Sequence, residues 1–152
     1  SFSTSVFAIT SKYTTSEAGG WTAINCAVAD STVKYYSLTD TAVVLNGKDG
    51  AQGVLTSCLY ANGIKSLTFK YGFGYGDTSF DLAIKIKNSA GAVVAETTLN
   101  KTGLTKGTVY DYTWTLDTPV SGDFTIEFAN LGTNSDNKHR LSIWNISWVN
   151  NN

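Results

Sequence analysis

His139 is the one histidine of this 152-residue chain. Any Ser–His–Asp relay would have to be built on it, within the segment Asn137-Lys-His-Arg140. A nucleophile turn of the type Gly-x-Ser-x-Gly occurs nowhere, so no serine is marked for acyl transfer. Metal catalysis through histidine or cysteine ligands fails on the same count. Glycoside cleavage needs two carboxylates across a cleft. Glu17, Glu96 and Glu127 are the only glutamates, and no spacing among the acids marks a pair. The chain is therefore not expected to be an enzyme. Calcium asks for less specific chemistry, six to eight oxygens from carboxylates and carbonyls. Asp30, Asp40, Asp49, Asp77, Asp117 and Asp136 fall in expected loops, where they equally serve as turn residues. None forms an EF-hand pattern, so no ligand set can be named.

Chemistry of binding is better represented. In Tyr71-Gly-Phe-Gly-Tyr75-Gly, three aromatics alternate with glycines where a strand runs into a loop. Glycine neighbours leave ring faces uncovered, which suits stacking on a flat sugar ring; against this, Tyr71 and Phe73 share the parity of Leu67 and Phe69. Tyr35 and Tyr36 are adjacent in a polar segment, and adjacent residues of an extended chain point opposite ways. One ring can anchor the segment while the other is exposed. Tyr110, Tyr112 and Trp114 alternate strictly with polar residues and read as core, as do Trp144, Trp148 and Trp21. Polar partners are Thr68, Lys70, Asp81, Lys85, Lys87, Asp111 and Thr113, on the outward parity of three strands. If those strands are neighbours, they make a polar, basic-leaning sheet face for hydroxyls or carboxylates.

The elements that position these residues are strands. Period-2 alternation recurs, punctuated by Gly, Asn and Asp about every ten residues, the pattern of sandwiches and barrels. From Phe80 to Lys87, Phe80, Leu82, Ile84 and Ile86 face one way and Asp81, Ala83, Lys85 and Lys87 the other. Ser66–Tyr71, Val93–Leu99, Tyr110–Leu116 and Asp123–Ala129 read similarly, with a turn at Asn88-Ser-Ala-Gly91. Arg140–Val149 is apolar on both faces, which calls for a bulge near Asn145 or burial on both sides. Pro119 is placed between strands, where its missing N–H costs least. The fold class is all-β: a two-sheet antiparallel β-sandwich of jelly-roll type with eight to ten strands, one domain over residues 1–152.

Composition narrows the partners. Only 15% of residues are charged, with Thr, Ser and Asn making up the difference, and the net charge is −1. A nucleic-acid binder needs a basic excess that is missing here. Hydrophobic residues reach 42% and aromatics 12%, too many for a disordered chain. No apolar run approaches the roughly 20 residues of a membrane span. No charged stretch followed by an apolar one begins at Ser1, so no signal peptide is expected within the chain. The scarcity of charge and the abundance of Thr and Asn point to a secreted, extracellular protein, and a monomer is expected. In a eukaryotic secretory host, Asn100-Lys-Thr and Asn145-Ile-Ser would be glycosylation sequons. Cys26 and Cys58 match no zinc or redox spacing and are read either as one disulfide or as two thiols.

Six stretches carry a resemblance: Gly20–Val28 (GWTAINCAV), Val43–Lys48 (VVLNGK), Gly53–Ser57 (GVLTS), Ile64–Phe73 (IKSLTFKYGF), Ser121–Phe128 (SGDFTIEF) and Lys138–Trp148 (KHRLSIWNISW). Over about residues 20 to 149 the chain resembles the β-sandwich accessory modules of secreted polysaccharide-degrading enzymes of gut and rumen Bacteroidetes. Pectate lyases and endoglucanases are typical hosts. The resemblance implies a non-catalytic carbohydrate-binding module, joined in cis to a parent enzyme, with room for a structural calcium. Residues 30 to 41 are particular to this sequence. The expected partner is plant cell-wall polysaccharide, a β-glucan or related hemicellulose, bound by Tyr35, Tyr36, Tyr71, Phe73 and Tyr75 with Lys70, Asp81 and Lys85. The alternatives are pectin held by Lys70, Lys85 and Lys87, and a structural or docking domain with no glycan ligand.

Overall fold

The computed structural model describes residues 1–30, 40–74, 77, 79–133 and 139–152. Among the described residues ten strands form, with one 3-10 turn at Thr4–Val6. They are β1 (Thr10–Ala18), β2 (Trp21–Ala29), β3 (Ala42–Leu45), β4 (Val54–Thr56), β5 (Ile64–Gly72), β6 (Phe80–Asn88), β7 (Val93–Lys101), β8 (Tyr110–Val120), β9 (Phe124–Asn130) and β10 (Leu141–Val149). Every pairing between them is antiparallel. The hydrogen-bonded order is β7-β6-β9-β4-β2-β3-β10-β5-β8, with β1 added on β2.

All strands thus belong to one continuous sheet rather than two separate ones, and β2 is the reason. Its first half, Thr22–Ile24, pairs with β4, while Cys26–Ala29 pairs with β3. Between the halves Asn25 takes a φ of 53°, a left-handed conformation that Asn tolerates better than most residues. Its side chain donates to Gln52 O, so the corner is held. The sheet then folds back on itself. Phe69 of β5 meets Phe128 of β9 edge to face at 5.3 Å, although the two strands are far apart in the hydrogen-bonded order.

The alternation read from sequence survives as burial. Phe80, Leu82, Ile84 and Ile86 are core, and so are Phe124, Ile126 and Phe128. Each such side chain stabilises the fold by about 1.5–3 kcal/mol through removal from water. The turn between β6 and β7 follows its chemistry: Gly91 has φ 82°, and Asn88 Oδ1 accepts from the N–H groups of Ala90 and Ala92. Along β10, Asn145 has φ 51° and the register to β5 shifts between Trp144 and Ser147. Ser142 and Trp144 on its outer parity are also buried. Both features invoked for this strand are present.

Two local expectations change. Pro119 lies inside the tail of β8, not between strands. It is tolerated there because β8 pairs only with β5 and their register shifts between Thr115 and Val120. Strand β1 was not legible, since its burial pattern shows neither face wholly buried and hence no apolar alternation. Cys26 and Cys58 are both free thiols, Cys26 buried in the core.

Candidate functional site

Strands β5 and β8 pair so that Thr68 stands opposite Thr113 and Lys70 opposite Asp111. All four point to the outer parity because their neighbours Leu67, Phe69 and Leu116 are held in the core. Lys70 Nζ lies 2.7 Å from Asp111 Oδ1, and the Thr68 and Thr113 hydroxyls are 3.0 Å apart. On the other side of β5, the bulge at Asn145 brings Ser147 alongside Thr68. The amino terminus crosses this surface: Phe2 bridges to Ile146, and its ring stacks on Trp21 at 4.1 Å. Ser3 Oγ then donates to Asp40 Oδ2 at 2.7 Å, and the Thr41 N–H donates to Asp40 Oδ1 at 2.8 Å. The Thr4 hydroxyl closes the corner on Thr41 O.

Ser3, Asp40, Thr68, Lys70, Asp111 and Ser147 line an open cavity of about 390 Å³. That lies within the ~300–1,000 Å³ of small-molecule sites. Carboxylates of Asp40 and Asp111 accept hydrogen bonds, while Lys70, Ser3, Ser147 and Asn145 donate. Such a wall recognises hydroxyl groups, which do both at once.

The residues singled out in the sequence do not form one platform. Lys70 belongs to this cavity. Asp81 and Lys85 sit on β6, between β7 and β9, separated from β5 in the hydrogen-bonded order by β9, β4, β2, β3 and β10. The three-strand basic face is therefore divided. Two of its lysines are paired: Lys70 with Asp111, and Lys87 with Glu127 at 2.7 Å.

Tyr71 and Phe73 are corrected as stacking rings. They are 4% and 1% exposed, continuing the inward parity of Leu67 and Phe69. Tyr71 stacks on Tyr110 at 5.4 Å and meets Phe80 at 5.3 Å, while Phe73 packs edge-on against Phe80 at 5.8 Å. Burial, and then the neighbouring Tyr110 and Asp111, push the Tyr71 phenol above its ordinary range. Tyr35, Tyr36 and Tyr75 lie outside the described residues.

Sequence reasoning missed Ser3 and Ser147 as members of a site, and weighed Asp40 only as a calcium or turn residue. Only the pairing of Asp111 with Lys70 had a trace, in their shared outward parity. A second polar pocket, also unforeseen, lies where β6 begins and β7 and β9 end, and includes Asp81 and His139. Among the described residues, no group of three or more His, Cys, Asp or Glu side chains converges as a metal site.

No family model matches the sequence, and no curated protein matches it. Solved structures do match the fold. TmCBM61 in complex with β-1,4-galactotriose superposes with a TM-score of 0.60 at 12% identity, over 87% of this chain and 89% of that one. The K1 cleaved adhesin domain of Lys-gingipain from Porphyromonas gingivalis W83 gives 0.60 at 11% identity, over 92% and 95%. An arabinose-bound GH51 α-L-arabinofuranosidase gives 0.60 at 12% identity, but this chain spans only 23% of that protein. The fold is that of carbohydrate-binding modules and adhesin domains. The likeness to TmCBM61 and to the adhesin domain runs most of the length of both chains.

Proposed function

We propose that the chain is a non-catalytic carbohydrate-binding module that holds a parent glycan-degrading enzyme on plant cell-wall polysaccharide. The observation that carries this reading is the cavity on β5, β8 and β10, roomy, open and lined by alternating donors and acceptors. The likeness to TmCBM61, which was solved with a galactose oligosaccharide, supports the same class of ligand. A neutral β-glucan or hemicellulose fits the near-zero net charge and the pairing of Lys70 and Lys87. Tyr36 and Tyr35 precede Asp40 in the chain by four and five residues, and with Tyr75 they remain the rings proposed to stack on the sugar. Weak single contacts are offset by attachment to an enzyme that keeps the module at high effective concentration. Function on a secreted enzyme places the module outside the cell.

The test is affinity electrophoresis of the purified chain in gels containing xyloglucan, mixed-linkage β-glucan, mannan, xylan or polygalacturonate. Retardation on a neutral glycan, insensitive to added NaCl, is the expected result. Retardation only on polygalacturonate, lost with salt, would replace the neutral ligand by pectin. The second reading is a structural or docking domain with no glycan ligand, and mobility unchanged in every gel would leave that one standing.

A further inference from the structure

We propose that the free edge of β7 docks an extended peptide segment of alternating apolar and basic residues, added as a further strand over the pocket between β7 and β8. An edge strand turns about half of its main-chain N–H and C=O groups outward, and natural edges are blunted by kinks, proline or charge. Among the described residues the sheet has three such edges, β7, β8 and β1. Strand β1 is broken by two register shifts and carries Lys12. Strand β8 carries Pro119 and a register shift between Thr115 and Val120. Strand β7 is the exception. Its one shift lies between Val93 and Ala95, and from Ala95 to Lys101 it runs in unbroken register with β6. It has no proline, and lysine only at its last position. Val93 and Val94 are each 45% exposed. Among the described residues, no main-chain group of β7 bonds to another strand than β6.

Folding the sheet back on itself brings β7 and β8, the two ends of the hydrogen-bonded order, side by side without pairing them. A pocket of about 200 Å³ stays open between Val94, Ala95 and Glu96 on one strand and Trp114, Leu116 and Asp117 on the other. It is smaller than the ~300–1,000 Å³ of small-molecule sites, and suits side chains rather than a whole ligand. Parity sets which side chains. Ala95 stands opposite the core residue Ile86, so it is on the inner face, while Glu96 stands opposite Lys85 on the outer face. A strand laid on β7 follows the same alternation. Every second side chain turns inward, to the apolar side of the pocket, and those between them stand outside beside Glu96.

Charge selects the partner. Glu96 and Asp117 are the pocket's only charged residues, and both are exposed. Neither makes a hydrogen bond or ion pair among the described residues, although Lys85 stands opposite Glu96 on β6. Opposite charges on directly facing strand positions attract, and like charges repel. A basic side chain at the outward positions of the added strand therefore meets a free carboxylate, and an acidic one is turned away. The same rule opposes a second copy of β7 as the occupant. In the central antiparallel registers, self-pairing sets Glu96 opposite or diagonal to its own copy. Trp114, half-buried against the core, makes no hydrogen bond among the described residues, which leaves its indole N–H as a donor at the pocket. The surface shares no residue with the cavity on β5, β8 and β10, so it is independent of the glycan reading.

The test is a 15N–1H NMR titration of the full chain with two blocked hexapeptides, one alternating valine with lysine and one alternating valine with glutamate. Each is taken to about 2 mM, as suits weak affinity. Dose-dependent shifts along Val93–Lys101 and at the Trp114 indole N–H are expected with the lysine peptide alone. Amide exchange on β7 should slow at the same time, because main-chain groups of the free edge become hydrogen-bonded. Glu96→Lys, at an exposed position, should weaken the binding about fivefold with an unchanged melting temperature, since one exposed ion pair is exchanged for a repulsion. Absence of shifts on β7, or equal shifts with the glutamate peptide, would overturn the proposal. Shifts confined to β1 or β8 would overturn it too. Shifts on β7 that grow with protein concentration and need no peptide would replace the peptide by a second copy of this chain.

Discussion

Lys70 and Asp111 face each other at paired positions of β5 and β8, with Nζ 2.7 Å from Oδ1 and side chains 36% and 65% exposed. A pair this open to water contributes at most about 1 kcal/mol to stability. Its two charges stand instead at the edge of the cavity, where a donor and an acceptor side by side meet a ligand. Lys70→Ala and Asp111→Ala should each leave the urea midpoint almost unchanged while lowering retardation in glycan gels. A loss of folding stability matching the loss of binding would show the pair to be structural.

Phe73→Ala is expected to behave in the opposite way. Removing a ring that is almost wholly buried against Phe80 should cost about 3–5 kcal/mol, seen as a large drop in melting temperature. Binding per folded molecule should stay near wild type. For Tyr36→Ala and Tyr75→Ala we expect an unaltered melting temperature and a several-fold fall in retention, the size of one aromatic contact. Unchanged retention in both tyrosine variants would remove them from the site.

Asn130 joins β9 to Leu45, Gly132 and His139 through three hydrogen bonds made while buried. Asn130→Ala should therefore cost about 2–3 kcal/mol by chemical denaturation, since backbone carbonyls are left without donors. Asn130→Asp should be worse, because it sets a carboxylate against the carbonyls of Leu45 and His139. Equal stability of Asn130→Asp and wild type would contradict this geometry.

Burial pushes the Cys26 thiol up from 9.0 to about 12. Its folded pKa exceeds its unfolded one, so its stabilising contribution is complete below pH 9 and is lost as the pH rises towards 12. The loss is about 1.4 kcal/mol per pH unit in that window. Wild type should thus lose stability between pH 9 and 10.5 more steeply than Cys26→Ala. At pH 8, a thiol reagent should label Cys58 in the native chain and reach Cys26 only with denaturant. Labelling of both at one rate in native protein would place Cys26 at the surface.

The legible part of this protein was the part encoded at a period of two. Phe80, Leu82, Ile84 and Ile86, or Phe124, Ile126 and Phe128, announce their strands and their buried faces because side-chain direction alternates residue by residue. The same parity already set Tyr71 and Phe73 with the core, against the invitation of their glycine neighbours. The lack of a nucleophile turn is likewise a property of the string alone. Parity says which way a side chain points but not which strand lies beside it. Strand order depends on how the whole sheet closes around its core, and that placed Lys70 beside Asp111 yet put Lys85 on another arm. It also brought Ser79 to His139 and Asn130 to Leu45 across long stretches of chain. Hence strands and core could be read locally, whereas both candidate sites, each assembled from several strands, existed only once the sheet had folded back on itself.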